Sequence, residues 1–320
     1  MRNQIPRLLI DGGILSPAEL KRIAEVAESG GLKTISFGSR QDILLPEYVG
    51  MNNDKELDFG EIKLVNPASG SRIENIVSSY VSTDIFPTTS WITGDLYLYI
   101  IERIKYGPRL KINITEPRQR IVPLFMGHLN FIASEREDYW YLYIRLPDWN
   151  KATLYPALIY SWDIAKICEE IENLLQEEPE NVDTLFSLLN YAVATDNKTI
   201  DKPLEVPFYP FPYYEGMNRI GTGEYWLGLY WRNNRYDLQF LKVMCDLCFE
   251  WKIGKICITP WKSFIIKGIP AESKLQWEKL LGKFGINVRH SLLEMNWHLP
   301  VANDELLKLK RYIEIGRAHV

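Results

Sequence analysis

The chain has 320 residues, 46% of them hydrophobic, so it can bury a sizeable core and exceeds the usual size of one domain. Its net charge of −4, with acidic and basic residues interspersed, argues against nucleic acid or an anionic membrane as a partner. The sequence has no secretory signal pattern and no apolar run of transmembrane length. We therefore expect a cytoplasmic protein with at least two domains.

The first predicted element is an amphipathic helix that begins after Ser16, with Pro17 in its first turn and Glu19 three residues after the cap. Two apolar, strand-like runs follow it in the stretch "KTISFGSRQDILLP". This stretch places Arg40 and Asp42 beside glycine, serine and glutamine. The polar centre between two apolar runs marks it as a candidate site.

The middle of the chain changes pattern. Residues 72–83 read as a strand and "TGDLYLYIIERI" as a helix, and three strands follow in "RLKINI", "LNFIAS" and "YWYLYIRLP". Helical patterns return in "SWDIAKICEEIENLL" and "NVDTLFSLLNYAV". The segment "KPLEVPFYPFPYYEG" is rich in proline and aromatic residues and has little periodicity, which is typical of a linker.

An internal repeat is the strongest organisational signal. The stretch "ELKRIAEVAESGGLKTISFGSRQDILLP" from Glu19 aligns without a gap with "FLKVMCDLCFEWKIGKICITPWKSFIIK" from Phe240, at an offset of 221 residues. Both copies read as a helix, a short turn and two strand-like runs around a polar centre. In the second copy, Trp261 and Lys262 stand opposite Arg40 and Gln41, so the polar centre differs between the copies.

The repeat divides the chain into alternating regions. We predict a first half-domain (A1) at 1–65, a second domain type (B1) at 66–200, the linker and second half-domain (A2) at 201–285, and the start of a second B domain (B2) at 286–314. The final "IGRAHV" equals one reading frame of a sequencing-library adapter. We therefore expect 315–320 to be foreign to the protein, to lack packing contacts, and to stand where a longer natural chain continues.

The A–B–A–B order resembles the nitrite and sulfite reductases that carry siroheme coupled to an iron–sulfur cluster. Each half-domain of that family has "G-x-L-S-P-x-x-L" before its helix and "T-T-R-Q" in the next strand, and this chain has "GGILSPAEL" at 12–20 and "FGSRQ" at 37–41. The resemblance covers most of residues 8–313. It implies an α+β fold of ferredoxin-like half-domains that alternate with siroheme-reductase-type domains about a pseudo-twofold axis.

The resemblance also implies a set of cationic site residues. The family's motif arginine meets tetrapyrrole carboxylates or the oxyanion substrate, and Arg40 occupies its position. "GPRLKINI" is similar to a Pro-Arg-Lys-rich strand of the family, so Arg109 and Lys111 join the candidates, as does Arg72. The alternative for Arg40 is an ordinary surface arginine, and for the other three a solvated charge.

The cysteines depart from the family pattern. Members bind the cluster through a Cys-x5-Cys pair at the start of B2 and a later Cys-x3-Cys pair, but "VRHSLLEMNWHLP" contains no cysteine. The resemblance therefore leaves siroheme as a candidate cofactor, whereas we do not expect an iron–sulfur cluster in this fragment. Catalysis by the usual mechanism is in doubt.

The remaining candidates for metal binding have plain alternatives. Cys245 and Cys248 align with two alanines of the first copy and share one helix face, which favours packing in the core over a metal site. Cys168, in the predicted helix "IAKICEEIENLL", is likewise expected to pack in the core. His128, His290 and His298 are scattered and lack a metal-ligand spacing, so we predict no metal site.

Two functions from different classes remain open. The first is an oxidoreductase of the siroheme reductase fold in nitrite or sulfite assimilation, which receives electrons from a redox partner protein and binds the small oxyanion through Arg40 and Lys111. The second is a non-catalytic relative that docks to, or exchanges electrons with, a partner, with a rubredoxin-like module beyond residue 320. Whether the chain is itself an enzyme stays undecided at this level.

Overall fold

A computed structural model describes residues 5–48, 57–66, 70, 72–147, 149, 151–212, 214–230, 232–286, 304–306 and 308–309. The chain divides into two compact units. Unit 1 comprises Met1–Ile10, Ile14–Ser71 and Tyr213–Val320, and unit 2 comprises Asp11–Gly13 and Arg72–Pro212. None of the described helices has the length and apolar character that a membrane crossing requires.

The helices of the described part are α1 Pro17–Ser29, α2 Gly94–Arg103, α3 Ile164–Leu174, α4 Val182–Ala192, α5 Leu238–Glu250 and α6 Lys274–Lys283. The strands are β1 Arg7–Leu8, β2 Ile14–Leu15, β3 Thr34–Phe37, β4 Ile43–Leu44, β5 Leu64–Val65, β6 Val77–Ser78, β7 Ile112–Thr115, β8 Leu129–Ala133, β9 Tyr139–Ile144, β10 Thr153–Leu154, β11 Ala157–Tyr160, β12 Lys198–Thr199, β13 Gly216–Ile220, β14 Glu224–Leu229, β15 Tyr236–Asp237, β16 Ile256–Thr259 and β17 Ser263–Pro270.

The two copies of the repeat form equivalent helices in unit 1. Helices α1 and α5 begin and end at positions that differ by the offset of the sequence repeat. Their caps are equivalent too, because Ser16 and Asp237 each accept a hydrogen bond from the backbone N–H three residues later. At Ser16 the side chain of Glu19 completes a capping box. The predicted helix start is confirmed.

The strands of the repeat are related by the same offset. The antiparallel pair β3–β4 has the register of the pair β16–β17, with Phe37 opposite Ile43 and Ile258 opposite Phe264. The strand before each helix pairs with the other copy: β2 lies along β16, and β15 lies along β3. This reciprocal exchange is the contact pattern of a twofold axis. The predicted pseudo-twofold packing is confirmed.

The core of unit 1 lies between the two helices and two five-stranded sheets, β15-β3-β4-β1-β5 and β13-β14-β17-β16-β2. Helices α1 and α5 pack against each other. Ion pairs at their margin join Lys21 to Asp246 at 2.6 Å and Lys242 to Glu28 at 2.7 Å. Lys21 and Lys242 are equivalent positions of the repeat, so the same lysine of each helix forms an ion pair with the other helix.

Unit 2 is built on one mixed sheet in the order β12-β11-β9-β8-β7-β6, with β10 against β9. Strands β6, β7 and β8 run parallel, while the pairs β8–β9, β9–β11 and β11–β12 are antiparallel. The predicted α2, α3, α4, β7, β8 and β9 are confirmed. The predicted strand at 72–83 is wrong in extent, because only Val77–Ser78 is extended in the sheet and Ser79–Ser82 turns into a 3₁₀ helix.

Residues 201–212 form no helix or strand in the described chain, and their role as a linker stays a prediction. Most of the proposed B2 start, 286–314, and all of the adapter-like tail, 315–320, lie outside the described residues.

Candidate functional site

Arg40 lies in the turn that joins β3 to β4. The turn closes through hydrogen bonds from Gly38 N to Asp42 O at 2.8 Å and from Gln41 N to Gly38 O at 3.1 Å. Gln41 has a left-handed φ of 59°, and the equivalent residue of the second copy, Lys262, has a φ of 60°. The repeat therefore preserves an unusual backbone conformation at its polar centre although the side chains differ.

The side chain of Arg40 is buried, with 2% of its surface exposed, so it is not a solvated surface arginine. Asp42 is also buried, and its carboxylate lies 3.7 Å from the guanidinium of Arg7. Position 38 requires glycine, because a Cβ there would lie 2.0 Å from Asp42 Oδ1. Arg40 and Asp42 of the turn and Arg7 of β1 are thus held out of bulk water, and burial of such charges is costly unless they are paired.

The turn of Arg40 lies beside the equivalent turn that carries Lys262. Gln41 Nε2 donates to Ile258 O at 2.9 Å, and Tyr236 Oη donates to Lys262 O at 2.9 Å. The rings of Phe37 and Phe264, which flank the two turns, have centroids 5.7 Å apart. Two buried cations therefore lie in neighbouring turns of unit 1. Burial lowers the pKa of Lys262 to about 8.

Two of the predicted cations in unit 2 occupy the surface. Arg72 is exposed in the segment before β6. Arg109 is exposed and its Nε lies 3.7 Å from Glu172 Oε2. The other oxygen of Glu172 accepts hydrogen bonds from the backbone N–H groups of Arg109 and Leu110 at 2.9 and 2.8 Å. A site role for Arg72 or Arg109 stays a prediction.

Lys111 lines an open cleft of about 370 Å³ in unit 2. The other lining residues are Phe125, Met126, Gly127, His128, Arg145, Leu146, Pro147 and Trp149. Two of these, His128 and Arg145, add nitrogen donors to the lysine. None of the described lining residues carries a carboxylate, and Asp148 lies outside the described residues.

Backbone hydrogen bonds hold the three polar residues of this cleft together. His128 N donates to Lys111 O at 2.7 Å, and Arg145 N donates to His128 O at 2.7 Å. In return, Lys111 N donates to the ring nitrogen Nδ1 of His128 at 3.1 Å. Gly127 permits this approach, because a Cβ there would lie 2.6 Å from Lys111 O. These bonds fix the backbone of the three residues at one end of the neighbouring strands β7, β8 and β9.

Sequence reasoning placed Lys111 among the candidates but missed Arg145, and it weighed His128 only as a metal ligand. Lys111 precedes β7, His128 precedes β8, and Arg145 follows β9. These residues meet because β7 and β8 are parallel neighbours and β9 runs antiparallel to β8. Strand order was the missing information, and a strand pattern alone does not contain it.

The four cysteines are all described and all buried as free thiols. Burial raises the thiol pKa of Cys168 and Cys245, and raises that of Cys248 to about 12. The predicted packing of Cys245 and Cys248 on the inner face of α5 is confirmed. The described residues contain no group of three or more metal-ligand side chains. These thiols do not fit an iron–sulfur cluster, which needs accessible thiolates gathered at one place.

Comparison with known proteins finds a likeness of fold. No protein-family profile matches the chain, and no curated protein matches its sequence. A solved structure of the Mycobacterium tuberculosis NirA protein matches with a TM-score of 0.64 and 16% sequence identity. The match covers 88% of this chain and 57% of the NirA chain. At this identity the likeness concerns the fold, and it supports a nitrite/sulfite reductase-like fold with repeated domains.

Proposed function

We propose that this chain is a redox protein of the nitrite/sulfite reductase fold that binds nitrite or sulfite in assimilation of the anion. The observation that carries the proposal is Arg40, which is 2% exposed in the duplicated turn of unit 1 beside the turn of Lys262. Burial removes the hydration of a cation, and functional sites are places where proteins retain charged groups at this cost.

Siroheme fits this chain better than an iron–sulfur cluster does. Its carboxylates match permanently cationic side chains, and Arg40 of unit 1 would hold one of them. When bound, the cofactor would pass electrons from a redox partner protein to the anion. The contribution of the chain is to bind and orient the anion and to neutralise its charge out of water. The departing oxygen needs protons, which donors such as Lys262 can supply because burial lowers its pKa towards neutrality.

Replacement of Arg40 tests the proposal. Because Arg40 is buried, alanine would leave a cavity, so glutamine and lysine are the informative replacements. We expect Arg40→Gln to weaken sulfite and nitrite binding at least tenfold, as for the loss of a charge-assisted hydrogen bond, with Arg40→Lys in between. Calorimetric titration of the purified chain measures both anions, and visible absorption measures siroheme uptake.

Arg103→Gln is the matched control, since that arginine lies at the surface over the ring of Tyr99. It should bind the anions and siroheme as the parent does. Equal binding by the Arg40→Gln and Arg103→Gln variants would remove the support for an anion site in unit 1.

The cysteines favour a second candidate function, a non-catalytic partner that docks to or exchanges electrons with another redox protein. The specific observation is that each of the four thiols is buried. A chain that cannot ligate a cluster through its own cysteines needs another protein or module, such as a rubredoxin-like one, to carry electrons. In this case the fold serves recognition rather than turnover.

Thiol reactivity separates the two candidates. We expect the four thiols to react with Ellman's reagent only after unfolding in urea, because burial disfavours the thiolate that attacks the reagent. After anaerobic incubation with iron and sulfide, the native chain should retain no stoichiometric iron. Rapid labelling of the native protein, or iron that is retained by the parent and lost in Cys245→Ser, would favour a cluster-bearing enzyme.

A further inference from the structure

Unit 2 contains another cavity, of about 280 Å³, which shares no lining residue with the cleft of Lys111. Strands β8 and β9 contribute Ala133 and Tyr141 to its lining. The rest comes from residues 89–90, from residues 117–118 and from the segment 202–207, which we name the strap. Every residue that lines the cavity is described and belongs to unit 2.

A buried carboxylate fixes the part of the wall that carries Arg118. Glu116 is fully buried and accepts hydrogen bonds from Thr89 N at 3.1 Å and from Arg118 N at 3.0 Å. The guanidinium of Arg118 takes no part in these bonds. It is exposed, and within the described part of the chain it forms no hydrogen bond or ion pair. The backbone of Arg118 is therefore held in place while its side-chain donors remain available to a ligand.

The strap is anchored beside the cavity. Lys202 Nζ forms an ion pair with Glu135 at 3.0 Å, and Lys202 O accepts a hydrogen bond from Tyr141 Oη at 2.8 Å. Leu204 packs against the apolar cluster that contains Tyr141. The two prolines of the strap restrict its backbone, because the ring of proline fixes φ. This anchored segment carries Glu205, which lines the cavity.

The charges of the lining leave one cation and one anion without a partner. Lys202 and Glu135 neutralise each other. Arg118 and Glu205 line the same cavity but form no ion pair, with each other or with any other described residue. A ligand that carries one charge of each sign would complement both side chains.

The remaining lining is largely apolar. Pro117, Ala133, Leu204 and the ring of Tyr141 offer carbon surface to a ligand. A volume of about 280 Å³ lies just below the range of sites for drug-sized molecules. The cavity therefore suits a small molecule with a short hydrocarbon chain, which gains free energy when that chain leaves water.

We propose that this cavity of unit 2 binds a free α-amino acid with an apolar side chain, such as leucine, through Arg118 at its carboxylate and Glu205 at its ammonium group. The planar guanidinium of arginine matches a carboxylate with two parallel hydrogen bonds. The hydroxyl of Ser90, which lines the cavity and is exposed, is a further donor for the carboxylate. The site rests on unit 2 alone and goes beyond the proposed redox function.

Two analogues of leucine test the two charges of the ligand. Isocaproate lacks the ammonium group, and isopentylamine lacks the carboxylate. We expect the purified chain to bind leucine with a dissociation constant below about 1 mM, and each analogue about tenfold more weakly or worse. Calorimetric titration measures the binding of leucine, and a titration followed by NMR of the ligand measures the weaker complexes.

Two variants assign each charge to its residue. Arg118→Gln and Glu205→Gln should each weaken leucine binding about tenfold or more. The preference for leucine over isopentylamine should disappear in Arg118→Gln, and the preference over isocaproate should disappear in Glu205→Gln, as in a double-mutant cycle. Arg103→Gln and Glu102→Gln are the matched controls, because both residues are exposed on α2, and both should bind leucine as the parent does.

The proposal fails if leucine does not bind at concentrations up to about 10 mM, or if either analogue binds the parent as tightly as leucine does. It also fails if Arg118→Gln and Glu205→Gln bind leucine as the two controls do. Circular dichroism checks the folding of each variant, and the comparison of leucine with its analogues needs no variant. None of these measurements involves a cofactor or an oxyanion, so failure of the reductase proposal would leave them interpretable.

Discussion

Replacing Glu116 by alanine is expected to lower the free energy of unfolding by about 4 kcal/mol. Glu116 follows β7 and is fully buried. Its Oε2 accepts from Thr89 N and Thr89 Oγ1, each at 3.1 Å, and from Arg118 N at 3.0 Å, while Oε1 accepts from Gln119 N at 2.6 Å. Alanine would leave the donors of Thr89 and Gln119 buried without these acceptors, and each such group costs about 1–3 kcal/mol.

Glutamine at the same position should cost less, about 1–2 kcal/mol. One oxygen can still accept from Thr89 and Arg118, but the new amide N–H₂ faces the N–H of Gln119. Glu135→Ala is the matched control because Glu135 is exposed and forms a surface ion pair with Lys202 at 3.0 Å. Its removal should cost less than 1 kcal/mol. Urea unfolding, followed by tryptophan fluorescence, measures the free energy of unfolding of the three variants. Equal losses for Glu116→Ala and Glu135→Ala would contradict the organising role of Glu116.

Replacing Lys262 by glutamine is expected to raise the free energy of unfolding at pH 7 by about 3 kcal/mol. Burial lowers the pKa of Lys262 from 10.5 to about 8, so folding works against its positive charge. Each pKa unit by which the folded lysine differs from the unfolded lysine corresponds to about 1.4 kcal/mol of stability, which gives the expected gain. Glutamine suits the position because Gln41, its twin in the repeat, already adopts a φ of 59° against 60° at Lys262.

The stability advantage of Lys262→Gln should depend on pH in a defined direction. Between pH 8 and 10.5 the unfolded lysine binds a proton that the folded one has lost, so stability rises with pH across this window. The destabilisation caused by burying the charged lysine is fully present below pH 8 and is absent above pH 10.5. The advantage of Lys262→Gln should therefore be constant below pH 8 and vanish by about pH 10.5.

The contribution of Lys262 is obtained by subtracting the free energy of unfolding of the parent from that of the variant at each pH. This subtraction removes the contribution of tyrosines that titrate in the same range. Lys255→Gln, at an exposed lysine just before β16, should change stability by less than 0.5 kcal/mol at every pH. A Lys262→Gln variant that is less stable than the parent at pH 7, or whose advantage is independent of pH, would contradict the assignment. A stability gain together with weaker anion binding would indicate that the lysine is retained for a site.

The sequence by itself determined the local structure of the repeat. Helices α1 and α5, the cap at Ser16 and the burial of Cys245 and Cys248 all follow from patterns within about 30 residues. Short-range rules suffice for such features, because the hydrogen bonds and the apolar face of a helix lie within its own segment. The gapless repeat added the expectation that the two copies pair.

Only the tertiary structure decided which polar groups meet. The polar residues of the unit 2 cleft come from three strand ends, and the order and direction of β7, β8 and β9 bring these ends together on one side of the sheet. The reciprocal pairing of β2 with β16 and β15 with β3 likewise places the turn of Arg40 beside that of Lys262. Strand order depends on the burial of both faces of a sheet by distant segments, and this long-range competition leaves no periodic trace in the sequence.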